Sequence, residues 1–83
     1  MWLNKNKAKK KAIRAIIKDI GDSIKFKTKN GSFEFTWEDY NIDRDVEKVI
    51  VAYFTNRGFK IESERRLAVN DRDEKLRIII DWR

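Results

Sequence analysis

Eighty-three residues leave room for a single hydrophobic core, so residues 1–83 are expected to form one small domain with only a few kcal/mol of stability. Hydrophobic and charged residues each make up 41% of the chain, which excludes a disordered polymer and predicts a core inside a heavily charged shell. The absence of cysteine excludes disulfides and thiolate metal sites and favours a reducing cytoplasm over secretion, while the net charge of +6 points to an anionic partner.

That charge is unevenly placed. Residues 1–29 carry ten Lys or Arg against Asp19 and Asp22, a net +8, whereas residues 30–83 carry ten against twelve acidic residues, a net −2. The longest apolar runs, VIVAYF at 49–54 and IIIDW at 78–82, are far shorter than the roughly 18–20 residues that cross a bilayer, so no membrane is expected as a partner.

In chain order, Asn4 is placed to cap a first helix, with Leu3 and Ala8 as a hydrophobic staple. The helix is expected to run to about Ile20 and to stop at Gly21 in the left-handed conformation. A 100° step puts Ala12, Ile13, Ile16 and Ile20 on a core face flanked by Ala8, Ala15 and Ile17. Lys7, Lys11, Arg14 and Lys18 follow at i, i+4, i+7 and i+11 on the opposite side, a single basic stripe with Lys5, Lys9 and Lys10 nearby.

SIKFKTKNGSFEFTW, residues 23–37, alternates Ile24, Phe26 and Thr28 with Lys25, Lys27 and Lys29, then Phe33, Phe35 and Trp37 with Ser32, Glu34 and Thr36. With Asn30-Gly31 at its centre, this pattern predicts a β-hairpin whose aromatic side faces the core and whose lysines extend the basic patch. A second helix is expected from about Asp43 to Arg57, burying Val46, Val49, Ile50, Tyr53 and Phe54 and stopping at Gly58. A second hairpin follows, with a turn near residues 70–73 and with Leu76, Ile78, Ile80 and Trp82 on one face.

These elements predict an α+β fold: a two-layer α-β-β-α-β-β arrangement, with a four-stranded antiparallel sheet and two helices packed on one face. The two halves have a loosely similar αββ pattern, too weak to establish a duplication.

Chemistry is sparse. The chain has no histidine, which removes the commonest general base and metal ligand, and its three glycines are isolated, so it has no phosphate-cradling loop. The acidic group Glu38, Asp39, Asp43, Asp45 and Glu47 suits the start of the second helix, and Asp71, Asp73 and Glu74 suit a solvated turn. Neither catalysis, a cofactor nor a metal is expected.

The basic stripe is the functional lead. A solvated face usually mixes signs, but this one repeats one sign at a spacing where like charges repel, an arrangement that a polyanion relieves. The candidate nucleic-acid-binding residues are Lys7, Lys10, Lys11, Arg14, Lys18, Lys25, Lys27 and Lys29, directed to backbone phosphates with little sequence readout. Four contacts to duplex DNA would give a slope of log K against log[salt] of about −3.6. Trp2 is a candidate interface anchor, with cover over the open end of the core as its alternative role. The competing reading is a phage- or mobile-element-type accessory protein that binds an acidic surface on a host protein. The chain is expected to be a monomer or a homodimer paired through sheet edges.

Overall fold

The computed structural model describes residues 4–69 and 72–83. Trp2 and Leu3 lie outside them, and with them the expected anchor and one half of the staple; Asn70 and Asp71 of the expected turn also lie outside. Five elements are present: α1 (Lys5–Lys29), β1 (Glu34–Tyr40), α2 (Arg44–Thr55), β2 (Lys60–Leu67) and β3 (Glu74–Asp81). The α+β class holds, but the sheet has three antiparallel strands, in the order β1-β3-β2, instead of four.

The missing strand has become helix. Residues 23–29, expected as the first arm of a hairpin, continue α1 to 25 residues, about 37 Å at 1.5 Å per residue. Asn4 caps its start as expected, its Oδ1 accepting from the Lys7 amide at 2.9 Å. Gly21 does not stop the helix: its φ is not positive, unlike that of a left-handed C′ glycine, and α1 runs straight through it.

Two physical terms favour helix over hairpin here. Once a helix is nucleated, each further residue adds one hydrogen bond at little cost, so a single glycine (about 1 kcal/mol) does not end it. The apolar spacing also continues past Gly21: Ile20 is fully buried and Ile24, four residues on, packs beside the same core. Thr28 closes the contact, its Oγ1 accepting from Trp82 Nε1 at 2.9 Å, so the last turn of α1 is tied to the chain just beyond β3.

Asn30-Gly31 is accordingly a helix cap and not a hairpin turn. A type I′ turn needs positive φ at both residues, whereas Asn30 has φ −95° and only Gly31, at +83°, is left-handed. The Ser32 amide donates to the Lys27 carbonyl at 2.8 Å and the Gly31 amide to that of Thr28 at 3.0 Å, the paired bonds of a Schellman motif. Gly58 ends α2 by the same pattern, with Phe59 donating to Phe54 and Gly58 to Thr55.

The loss of the first hairpin removes the suggested αββ repeat and moves its aromatics. Phe35 and Trp37 face the core from β1, but Phe26 and Phe33, expected beside them, are 66% and 43% exposed. Ala12 and Val49, also expected in the core, are exposed.

The second hairpin forms as expected. The central strand β3 buries Leu76, Ile78 and Ile80 completely, with Trp37 of β1 opposite Ile78 and Phe35 opposite Ile80. Val46, Ile50 and Phe54 of α2, with Ile20 of α1, complete the core against this one face.

The same face contains an Arg-carboxylate cluster that the sequence did not disclose. Arg65 of β2, opposite Leu76, is 10% exposed at its side chain. Its Nε donates to Glu47 Oε1 of α2 at 2.7 Å and its Nη1 to Glu74 of β3, joining three elements. Nη2 lies 2.7 Å from the same Glu47 oxygen but off the hydrogen-bonding direction, so its contact is an ion pair only. Glu74 is therefore a strand residue engaged in the fold and not part of a solvated turn.

Candidate nucleic-acid interface

The continuous α1 changes the geometry of the basic stripe. On a hairpin, Lys25, Lys27 and Lys29 would have shared one strand face. On the helix, Lys7, Lys11, Arg14, Lys18, Lys25 and Lys29 fall within an arc of about 60°, and Lys10 flanks it. This ridge extends about 33 Å along the axis. Lys27 leaves it: at 100° per residue it turns toward the core side, where it is half-buried.

Lys7, Lys10, Lys11, Arg14, Lys18, Lys25 and Lys29 are all exposed. Lys18 reaches Asp22 at 3.0 Å, one turn further along. Among the described residues, Lys7, Lys10, Lys11, Arg14, Lys25 and Lys29 form no ion pair. Lys9 differs: it points toward α2, with Nζ 3.6 Å from Asp45 and 3.9 Å from Asp43, so it docks the helix and is not available to a partner.

The uncovered face of the sheet offers a contrast. There Arg77 lies between Glu38 and Glu64 at 2.7 and 3.2 Å, Lys75 also reaches Glu38, Arg66 reaches Glu64, and Arg83 reaches Asp81 and Glu34. The hydrogen bond from Arg77 holds the Glu38 carboxyl below the usual glutamate range. Arg66, Lys75, Arg77 and Arg83 on the sheet thus each lie within 4 Å of a carboxylate, whereas, among the described residues, six of the cations on α1 do not.

Among the described residues, no group of three or more His, Cys, Asp or Glu is gathered for a metal. An open groove of about 540 Å³ beside α2 is lined by Arg44, Glu47, Lys48, Val51 and Ser63, among others. Its carboxylate is already engaged: burial pushes the Glu47 pKa up, but hydrogen bonds from Ser63 and Arg65 more than offset this and leave it below the ordinary value.

Among the described residues, no helix is long and apolar enough to cross a membrane. The exposed Phe26 revises the expectation that aromatics are withdrawn from a partner. It lies on α1 between Lys25 and Lys29 in sequence, about 60° around the axis from Lys29. Neither a protein family, a curated protein nor a solved structure matches this chain.

Proposed function

We propose that this protein is a small cytoplasmic, non-enzymatic binder of nucleic acid that neutralises backbone phosphates with the cationic ridge of α1. The observation that carries the reading is the contrast between surfaces: the basic residues of the sheet face have carboxylates beside them, while six cations on or beside the α1 ridge have none. Unpaired like charges on one helix face cost free energy in the unbound protein, and phosphate neutralisation with counterion release returns it.

Sequence readout is expected to be weak. Lysines act as point charges toward phosphates, and Arg14 is the one guanidinium fork on the ridge. The partner is therefore recognised by charge density and not by base edges.

Replacing Lys7, Lys11, Arg14 and Lys18 with Gln keeps good helix formers at exposed positions, so the fold is retained and binding is strongly weakened. Nucleic-acid affinity unchanged from wild type would remove the proposal. A pull-down from native lysate with and without nuclease separates the alternatives. Loss of all partners after nuclease supports this reading; a stoichiometric protein that survives supports an accessory protein docking on an acidic surface.

A further inference from the structure

The ridge is divided, and from this division we infer that its ligand is B-form duplex DNA, gripped across the major groove by two groups of cations on α1. The inference rests on the phosphate-binding reading above and adds the form of the ligand to it.

The first group is Lys7, Lys10, Lys11 and Arg14, spread over about 10 Å of the helix axis; the second is Lys25 and Lys29, about 6 Å apart. From Arg14 to Lys25 the axis rises about 16 Å. Within that interval the ridge holds only Lys18, already paired with Asp22 at 3.0 Å, with Gly21 and Asp22 on its two flanks. The interval thus presents little net positive charge.

The length of this gap selects among nucleic acids. A single strand offers an unbroken line of phosphates, which an unbroken line of cations would match better. A duplex instead presents two phosphate walls separated by a groove, about 12 Å across for the major groove of B-DNA and about 6 Å for the minor. Two cation groups 16 Å apart on a straight helix, each with flexible side chains reaching outward, span the wider opening and overshoot the narrower. The A-form duplex of RNA offers no equivalent opening: its major groove is deep and narrow, and its wide minor groove is shallow, so a helix laid across it meets 2′-hydroxyls and base edges where α1 has its gap.

Aromatic placement agrees. Proteins that hold single strands stack bases on aromatic side chains, but α1 has no aromatic residue between Lys5 and Lys25. Phe26 is its single aromatic, beyond the gap and off the ridge.

The test is a set of salt titrations with the full chain and labelled 16-base-pair DNA, the same sequence as a single strand, and the same sequence as an RNA duplex. A second arm uses Gly21→Lys, which places a cation in the gap without strain, since φ there is not positive and the Cβ meets nothing within 4 Å. The inference predicts that duplex DNA binds at least several-fold tighter than either alternative. It also predicts that Gly21→Lys leaves the slope of log K against log[salt] unchanged, because the new lysine faces the open groove. A slope steeper by ~0.9 in the variant would show phosphates running along the gap and would overturn it. Equal or tighter binding of the single strand or the RNA duplex would also overturn it while leaving backbone recognition intact. Binding to none of the three would remove both readings.

Discussion

Replacing Gly21 by Ala tests the continuity of α1 by the sign of a stability change. In a helix interior, Ala is more favourable than Gly by about 0.8–1.0 kcal/mol, because the unfolded chain then has fewer conformations to lose. At position 21 nothing subtracts from that gain: φ is not positive, and an added Cβ has no atom within 4 Å. The expected result is a stabilisation of about 0.8 kcal/mol, which raises the Tm of a domain this size by about 3–6 °C. Urea unfolding followed by Trp fluorescence, with Trp37 buried in the core as reporter, gives the value, with the m-value unchanged. Gly31→Ala is the internal control, since at φ +83° the same substitution forces a left-handed alanine and costs about 1 kcal/mol. Destabilisation at both positions would place Gly21 at a helix end and refute the 25-residue α1, along with the length of the cationic ridge.

Further outcomes follow from the packing. Arg65→Ala leaves the Glu47 carboxylate, 17% exposed, without its principal partner and should cost about 2–3 kcal/mol in urea unfolding; a change below 0.5 kcal/mol would show that the cluster contributes nothing. Because the folded-state pKa of Glu47 is depressed, its stabilising contribution is fully present above the unfolded value of about 4.3 and is lost as pH falls through the folded pKa. Acid titration of stability should therefore decline less steeply for Glu47→Gln than for wild type, and equal slopes would contradict the assignment. Phe26→Ser should change stability by less than about 0.5 kcal/mol, whereas Ile20→Ala, at a fully buried position, should cost about 2–5 kcal/mol.

The sequence shows the second half of this fold more plainly than the first. Val46, Ile50 and Phe54 recur at helical spacing, Gly58 ends their helix, and Leu76, Ile78 and Ile80 alternate in a strand that buries one face, so local pattern and tertiary contact agree. In residues 21–31 they conflict. The alternation of Ile24, Phe26 and Thr28 with lysines has a strand period, but the same segment also continues the i, i+4 line from Ile20 to Ile24 that began at Ile13 and Ile16. Asn30-Gly31 satisfies either a hairpin turn or a helix cap, because each requires a left-handed glycine, and only the φ of Asn30 separates them.

The candidate interface was legible in its residues but not in its extent. Lys7, Lys11, Arg14 and Lys18 were placed on one face by spacing alone. Lys25 and Lys29 join that face, and Lys27 leaves it, only because the helix continues through Gly21. Arg65 was hidden for another reason: in SERR, residues 63–66, nothing local distinguishes a solvated arginine from one held by carboxylates on two other elements.

The most direct measurement is the salt dependence of duplex DNA binding by the wild-type chain. Five unpaired ridge cations, at ~−0.9 per phosphate contact, predict a slope of log K against log[salt] of about −4 to −5. The slope should fall toward zero when Lys7, Lys11, Arg14, Lys25 and Lys29 are all replaced by Gln. Affinity that does not change with salt, or a steep slope that survives those five substitutions, would contradict phosphate recognition by α1.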